Sequence, residues 1–385
     1  MTEPLVFFDH QVFDLQRVGG ASRLFYEVSK RLANEFRSEL GLKATRNLYL
    51  ANHPGIELAE EATTECKVSR LRAMAFRLAG AAVPRRIVDT LPDSNRVYGL
   101  ERLREERPDL LVPTYYDPYL LELKNRPPIV STALDLIPER FPEFYVGETH
   151  HSAWKRKMME GSDAIVAISN STKNDLVTMW NIPPEKIHVV PLASSFVDAD
   201  DLEEGSSPLP HPYLLFVGER GRYKNLYFML ESLRGFFHRN PDWQMLCVGA
   251  PFTKHELRFF EAIGLGDRVH GLSGDDSVVR NAYQHANCVA VPSQAEGFGL
   301  PVVEGLALGR RVVASRIPVF EEIAEDRIAY FDPKDPVELA EVVERECLRG
   351  SDSASEVLAR REFAQKYSWE ETAKGYSEVF RRMIS

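Results

Sequence analysis

Residues 287–315 read NCVAVPSQAEGFGLPVVEGLALGRRVVAS. Cys288 to Val291 is a short, apolar, β-branched run bounded by Pro292 and Ser293, which predicts a buried strand. Gln294 to Leu300 is a loop carrying Gly297 and Gly299. Pro301 suits the first position of a helix, where no N–H is needed. The helix is expected to run from Val302 to Leu308, with Gly309 as its C-cap and Arg311 to Ala314 as the next strand. Strand, glycine loop, helix and strand in this order belong to an α/β fold with a parallel sheet.

Two carboxylates carry the chemistry of this stretch. Glu296 lies in the loop and Glu304 in what should be the first turn of the helix. Helical side chains tilt toward the N-terminus, so both acids can face the space in front of it. Free N–H groups and the helix dipole make that space favourable for an anion. Glycines at 297 and 299, with Phe298 and Leu300 between and after them, let the backbone approach a ligand closely. An anion held by amides, beside carboxylates that accept from hydroxyls, describes a nucleotide sugar. A tight turn with two solvated glutamates is the plainer alternative.

The string EGFGLPVVE, Glu296 to Glu304, closely resembles the Glu-x7-Glu signature of family 4 retaining glycosyltransferases. That family implies a GT-B architecture: two Rossmann-like domains with parallel sheets facing each other across a cleft. It also implies a nucleoside-diphosphate sugar as donor, with no metal and no cofactor.

The whole chain is compatible with that expectation. Its 385 residues allow two full cores. It has 47 basic against 57 acidic residues, a net charge of −10, which argues against general nucleic-acid binding. Cys66, Cys247, Cys288 and Cys347 show no metal or redox spacing and suit a reducing, cytoplasmic setting. No leader sequence and no membrane-spanning apolar run is evident.

The chain opens with a strand at Pro4 to Phe8, a loop DHQVFDLQRVGG, and a helix for which Ser22 is a candidate cap. Gly19 and Gly20 could bring amides to a diphosphate or simply make a tight turn; many members of the family open this way. Residues 67–86 are basic inside an acidic protein, which suits contact with an anionic lipid surface or acceptor as well as an ordinary surface helix. Peripheral placement on the inner face of a membrane would follow from the first. Strands are predicted at Asp109 to Tyr115, Pro128 to Leu134, Ala164 to Ser169 and Ile187 to Leu192. Asp135, at the end of the second of these, is a site candidate because ligands gather at carboxyl ends of parallel strands. The family commonly has a histidine before this position; Leu134 stands there instead.

Residues 1–193 are expected to form one domain, the acceptor domain by resemblance. Residues 194–211 form a linker, and 212–367 the donor-binding domain. The last helix, 368–385, is expected to return to the first domain. Asp198-Ala199-Asp200 imitates a metal-binding Asp-x-Asp but lies in the acidic linker. The second domain opens with YLLFVGERGRYKNL, a strand followed by Gly218, Arg220, Arg222 and Lys224. This is no P-loop, since no Gly precedes Lys224 and no Ser or Thr follows it. It resembles the family's Gly…Arg…Lys diphosphate motif, with Lys224 in place and Arg220 one residue late. By the same resemblance, Glu304 anchors ribose, Glu296 orients the hexose, and backbone around Val269 and Gly271 holds the base. GFGLPV also partly imitates a dinucleotide fingerprint, but Val302 stands where its third glycine belongs. Resemblance to builders of bacterial surface polysaccharides implies a glycan or lipid-linked glycan acceptor and makes GDP-mannose a first donor candidate. An epimerase, a phosphorylase or a non-catalytic nucleotide-sugar-binding subunit would share the same fold.

Overall fold

The computed structural model describes residues 3–32, 35–58, 94–145, 149–197 and 205–384. The basic segment 67–86 and the pair Asp198 and Asp200 lie outside the described residues. The chain divides into two compact units: residues 1–192 with 369–385, and residues 193–368.

In the first unit, β1 (Leu5–Phe8) pairs in parallel with β2 (Arg37–Leu40). Ala44–Thr45 and Glu57–Leu58 form a small ladder of their own, β3 and β4. On its other side β1 pairs with β5 (Leu110–Val112). The strands β6 (Val130–Ala133), β7 (Ala164–Ala167) and β8 (Ile187–Val189) form a second parallel set. A bridge between Leu111 and Ile129 joins the two sets. β1, β5, β6, β7 and β8 are each shorter than the predicted run, where flanking Pro, Asp and Ser residues leave the ladder, and β2, β3 and β4 are additional to the predicted strands.

The closing helix, Trp369–Ile384, belongs to this first unit. Its buried residues Trp369, Ala373, Tyr376 and Phe380 recur at helical spacing. Phe380 packs edge-on against Phe8 and Phe36, and the hydroxyls of Tyr376 and Thr132 are 2.8 Å apart.

The second unit holds one six-stranded, all-parallel sheet. Its strands are β9 (Tyr213–Val217), β10 (Gln244–Val248), β11 (Val269–Leu272), β12 (Cys288–Val291), β13 (Val312–Ser315) and β14 (Ala329–Phe331). The spatial order is β11-β10-β9-β12-β13-β14. Counted within the unit this is 3-2-1-4-5-6, the doubly wound order, and the order reverses between β9 and β12. Both central strands are apolar throughout, as burial on two faces requires. Leu214, Phe216, Met245, Cys288 and Val313 join the flanking helices in one core.

The expected linker is partly core. Ser194 donates its N–H to Tyr367 O, and Phe196 packs edge-on against Tyr283, so residues 194–197 belong to the second unit. The acidic run that follows drew the boundary in the sequence, but Phe196 and Val197 are apolar enough to be buried. Among the described residues, no helix is long and apolar enough to cross a membrane.

Candidate active site

The carboxyl ends of β9 and β12 flank the switch point, and the two loops that leave them are sewn together. Gln294 donates its N–H to Tyr223 O at 2.7 Å, and its Nε2 donates to Asn225 Oδ1 at 3.2 Å. Asn225 holds a left-handed backbone and donates its own side-chain amide to Pro333 O. Gly218, at φ 124°, makes the turn out of β9 that a side chain would strain.

This stitching brings Lys224 and Glu296 together. Lys224 Nζ donates to Glu296 Oε1 at 2.7 Å, and the Ser293 hydroxyl donates to the same oxygen at 2.7 Å. Ser293 is buried, so Glu296 is held from behind. Among the described residues, Glu296 Oε2 has no protein partner. Lys224 spends one of its three donors on Glu296.

The helix after this loop starts earlier than predicted, at Leu300, and runs to Ala307. Gly299 is its N-cap at φ 107°, and a side chain there would also meet the Phe320 ring at 2.5 Å. Pro301 is therefore the second helical residue, and Glu304 lies in the second turn rather than the first. Glu304 Oε2 accepts from the Tyr283 hydroxyl at 2.7 Å. Burial, and next the Glu304 charge, hold that phenol well above its ordinary pKa, so Tyr283 stays the donor. Tyr283 comes from the helix Asp276–His285, and its place beside Glu304 had no signal in the sequence.

Two expected site residues, Arg220 and Phe298, have their side chains employed within the second unit. Arg220 is buried, with Nε on Glu256 Oε1 at 2.6 Å, Nη2 on Glu256 Oε2 at 3.3 Å, and further donors on Ala250 O and Pro251 O. Its guanidinium is thus committed to the fold and is not an open cation beside Lys224. Burial pushes the Glu256 carboxyl up, but hydrogen bonds from Arg220 and Thr253 overcome this and bring it down to about 2. Phe298 turns its ring inward onto Tyr367, at a centroid separation of 5.5 Å. Gly271 lies under the Phe252 ring, which a β-carbon would meet at 2.9 Å, and Val269 is buried in β11 beside Met245.

Gly19, Gly20 and Asp135 belong to the first unit. Gly19 itself is the N-cap of the helix Gly20–Arg31, so Ser22 is inside the first turn. The Gln16 side chain accepts from Ser22 N there, at 3.0 Å. Asp135 accepts from Ile137 N at 3.0 Å and lies 3.8 Å from Lys155 Nζ. Lys155 is buried and donates to Glu139 Oε2 at 2.9 Å and Asp135 O at 3.1 Å. His151, one turn earlier, is paired with the Tyr115 hydroxyl at 3.0 Å; burial, and next the Lys155 charge, bring its pKa down to about 4. A further network, absent from the sequence reading, lies at the end of β1. Asp9 is buried and accepts from Thr114 N, Thr114 Oγ1, Gln11 N and Gln11 Nε2.

Two family models divide the chain between them. Residues 18–193 match Glycosyltransferase Family 4, and residues 198–352 match Glycosyl transferases group 1. The chain belongs to the family 4 glycosyltransferases. It is 26% identical over 279 residues to D-inositol 3-phosphate glycosyltransferase of Corynebacterium diphtheriae, covering 66% of this chain and 65% of that protein. It is 22% identical over 210 residues to the O-antigen chain mannosyltransferase RfbU of Salmonella typhimurium, covering 53% of this chain and 56% of that protein. The matches thus span under two thirds of either relative's length. Among solved structures, Anabaena Alr3699/HepE in complex with UDP and glucose superposes with a TM-score of 0.68, at 16% identity, covering 99% of this glycosyltransferase and 100% of that chain. The shared fold is GT-B.

Proposed function

We propose that this glycosyltransferase moves a hexose, with retention at the anomeric carbon, from a nucleoside-diphosphate sugar to a glycan or lipid-linked glycan acceptor in polysaccharide synthesis. The observation that carries the reading is the Lys224–Glu296 pair at the switch point, beside the helix that opens at Leu300. The diphosphate lies against the helix amides, where the dipole favours it. Lys224 keeps Glu296 and turns a remaining N–H to a phosphate oxygen, meeting charge that grows as the sugar leaves. Glu296 Oε2 takes a hexose hydroxyl and faces the positive charge developing at the anomeric carbon. Glu304, fixed by Tyr283, takes the ribose diol. The acceptor attacks from the face the diphosphate leaves, and a departing phosphate oxygen helps remove its proton. Within this scheme the leaving group is served by Lys224 and amides, with no metal and no cofactor.

GDP-mannose is the first donor to try, because one relative is named a mannosyltransferase; UDP-glucose is the second, because HepE was solved with UDP and glucose. Incubation with GDP-, UDP- and dTDP-sugars, with and without a glycan acceptor, tests the reading. A new α-linked product from an α-donor supports it. Epimerised donor in place of a transfer product, or donor bound and never consumed, would replace it with another GT-B chemistry or a binding subunit.

A further inference from the structure

At the amino edge of the second unit's sheet, the turn Leu308–Arg311 connects the helix Leu300–Ala307 to β13. In a parallel sheet this edge is opposite the one carrying Lys224 and Glu296. The helix Ala354–Ala364 crosses the turn and lays two arginines on it. Arg360 donates to Gly309 O at 3.0 Å. The Nε of Arg361 lies 3.2 Å from where a β-carbon on Gly309 would stand.

The carboxylate here is spoken for. Asp352 accepts from Arg311 Nε at 2.9 Å, from Arg360 at 2.8 and 3.2 Å, and from Arg349. Arg311 spends its remaining donors on the carbonyls of Glu346, Arg349 and Gly350. Two guanidinium groups are left over. Arg310 donates only Nε, to Leu308 O at 3.1 Å. Arg361 Nε is buried with no partner, and among the described residues its other nitrogens bond nothing. Both residues are half-buried. Burial, and next the charge of Arg361, press Arg310 below the usual guanidinium range. Two like charges at one turn, with unmet donors, ask for a counter-charge that Asp352, among the described residues, supplies only in part.

We propose that Arg310 and Arg361 form an anion site for a phosphate group, on the side of the second unit's sheet away from the donor. Guanidinium forks match phosphate oxygens two at a time, and two forks with unmet donors at one turn suit a dianion. The group could come from a soluble phosphate or from an anionic lipid headgroup. The site does not depend on the donor reading, since none of its residues is shared with it.

The test uses the full chain in phosphate-free buffer at fixed ionic strength. Inorganic phosphate is titrated calorimetrically into wild type, Lys224→Ala, Arg310→Gln, Arg361→Gln and Arg310→Lys. Vesicles of phosphatidylglycerol in phosphatidylcholine form a parallel arm, read by co-sedimentation. Lys224→Ala should retain binding, which separates this site from the donor side. Arg310→Gln and Arg361→Gln should each weaken it about tenfold or more, as loss of a charge-assisted pair implies. Arg310→Lys, which keeps the charge, should retain part of the affinity. Binding confined to vesicles and lost in the same variants would assign the site to a lipid headgroup. No binding in either arm, or affinity unchanged in both glutamine variants, overturns the proposal.

Discussion

Lys224 Nζ donates to Glu296 Oε1 at 2.7 Å, across 72 positions of sequence. The side chain proposed to receive the leaving diphosphate and the one proposed to face the hexose are therefore a single coupled unit. Residues that act as a unit give non-additive losses. Lys224→Ala and Glu296→Gln should each lower kcat by about a hundredfold, as for one preorganised charge partner. The double variant should be little worse than the poorer single variant. The measurement is kcat and KM at saturating acceptor. Losses that multiply would show the two acting independently, and a raised KM with unchanged kcat in Lys224→Ala would make that residue a binding group only.

Tyr283 and Glu304 offer a second separation. The phenol donates to the carboxylate at 2.7 Å and fixes it where the proposed scheme puts the ribose, which takes no part in bond breaking. Uniform binding of substrate and transition state changes KM and leaves kcat nearly alone. Tyr283→Phe and Glu304→Gln are both expected to raise donor KM several-fold, with Glu304→Gln the larger. Calorimetric titration with the free nucleoside diphosphate should show the same order, while Glu296→Gln binds it nearly as wild type does. If Glu296→Gln weakens the diphosphate and Glu304→Gln does not, the two roles are reversed.

The sequence carried the parts of this design that are local. Apolar runs such as Tyr213–Val217 and Cys288–Val291, spaced by helices, are the signature of a buried parallel sheet, and each became a strand. Glycine-bearing loops marked the carboxyl ends where the candidate residues Lys224 and Glu296 lie. Long-range partners were not legible. Nothing in GERGRYK says that Arg220 turns away to Glu256 while Lys224 goes to Glu296, because Glu256 reads only as part of a helix cap. The Asp9–Thr114 network is closed by residues 105 positions apart, with no periodicity to announce it. The start of the Leu300 helix was missed because Pro301 is acceptable at either of its first two positions, and Gly299 decided between them.

Activity should persist in excess EDTA. In the proposed scheme the diphosphate charge is met by Lys224 and the amides opening the Leu300 helix. Among the described residues, no three His, Cys, Asp or Glu side chains converge as a metal-binding group. The assay is transfer in chelator, then with Mg²⁺ or Mn²⁺ restored. Loss on chelation with recovery on metal would reject the metal-free scheme and bring Asp198 and Asp200 forward as ligands.

Arg220 makes a prediction of the opposite kind, on stability. Its guanidinium and the Glu256 carboxylate are both buried, and two further carbonyls complete the arginine. Removing one partner leaves the other charge buried and unpaired, which costs about 3–5 kcal/mol. Arg220→Ala should therefore lower the urea midpoint of the second unit's transition. The pair also sets a pH dependence whose sign follows from Glu256. Its carboxyl goes from an ordinary 4.5 to about 2 on folding. Between those values the unfolded chain binds a proton that the folded chain refuses, so stability falls as the pH drops. The contribution is complete above pH 4.5 and lost as the pH falls toward 2. Stability measured against pH should show wild type losing ground to Glu256→Gln across that window. Parallel curves for the two proteins, or an Arg220→Ala protein of wild-type stability with kcat alone reduced, would return Arg220 to the diphosphate and remove it from the fold.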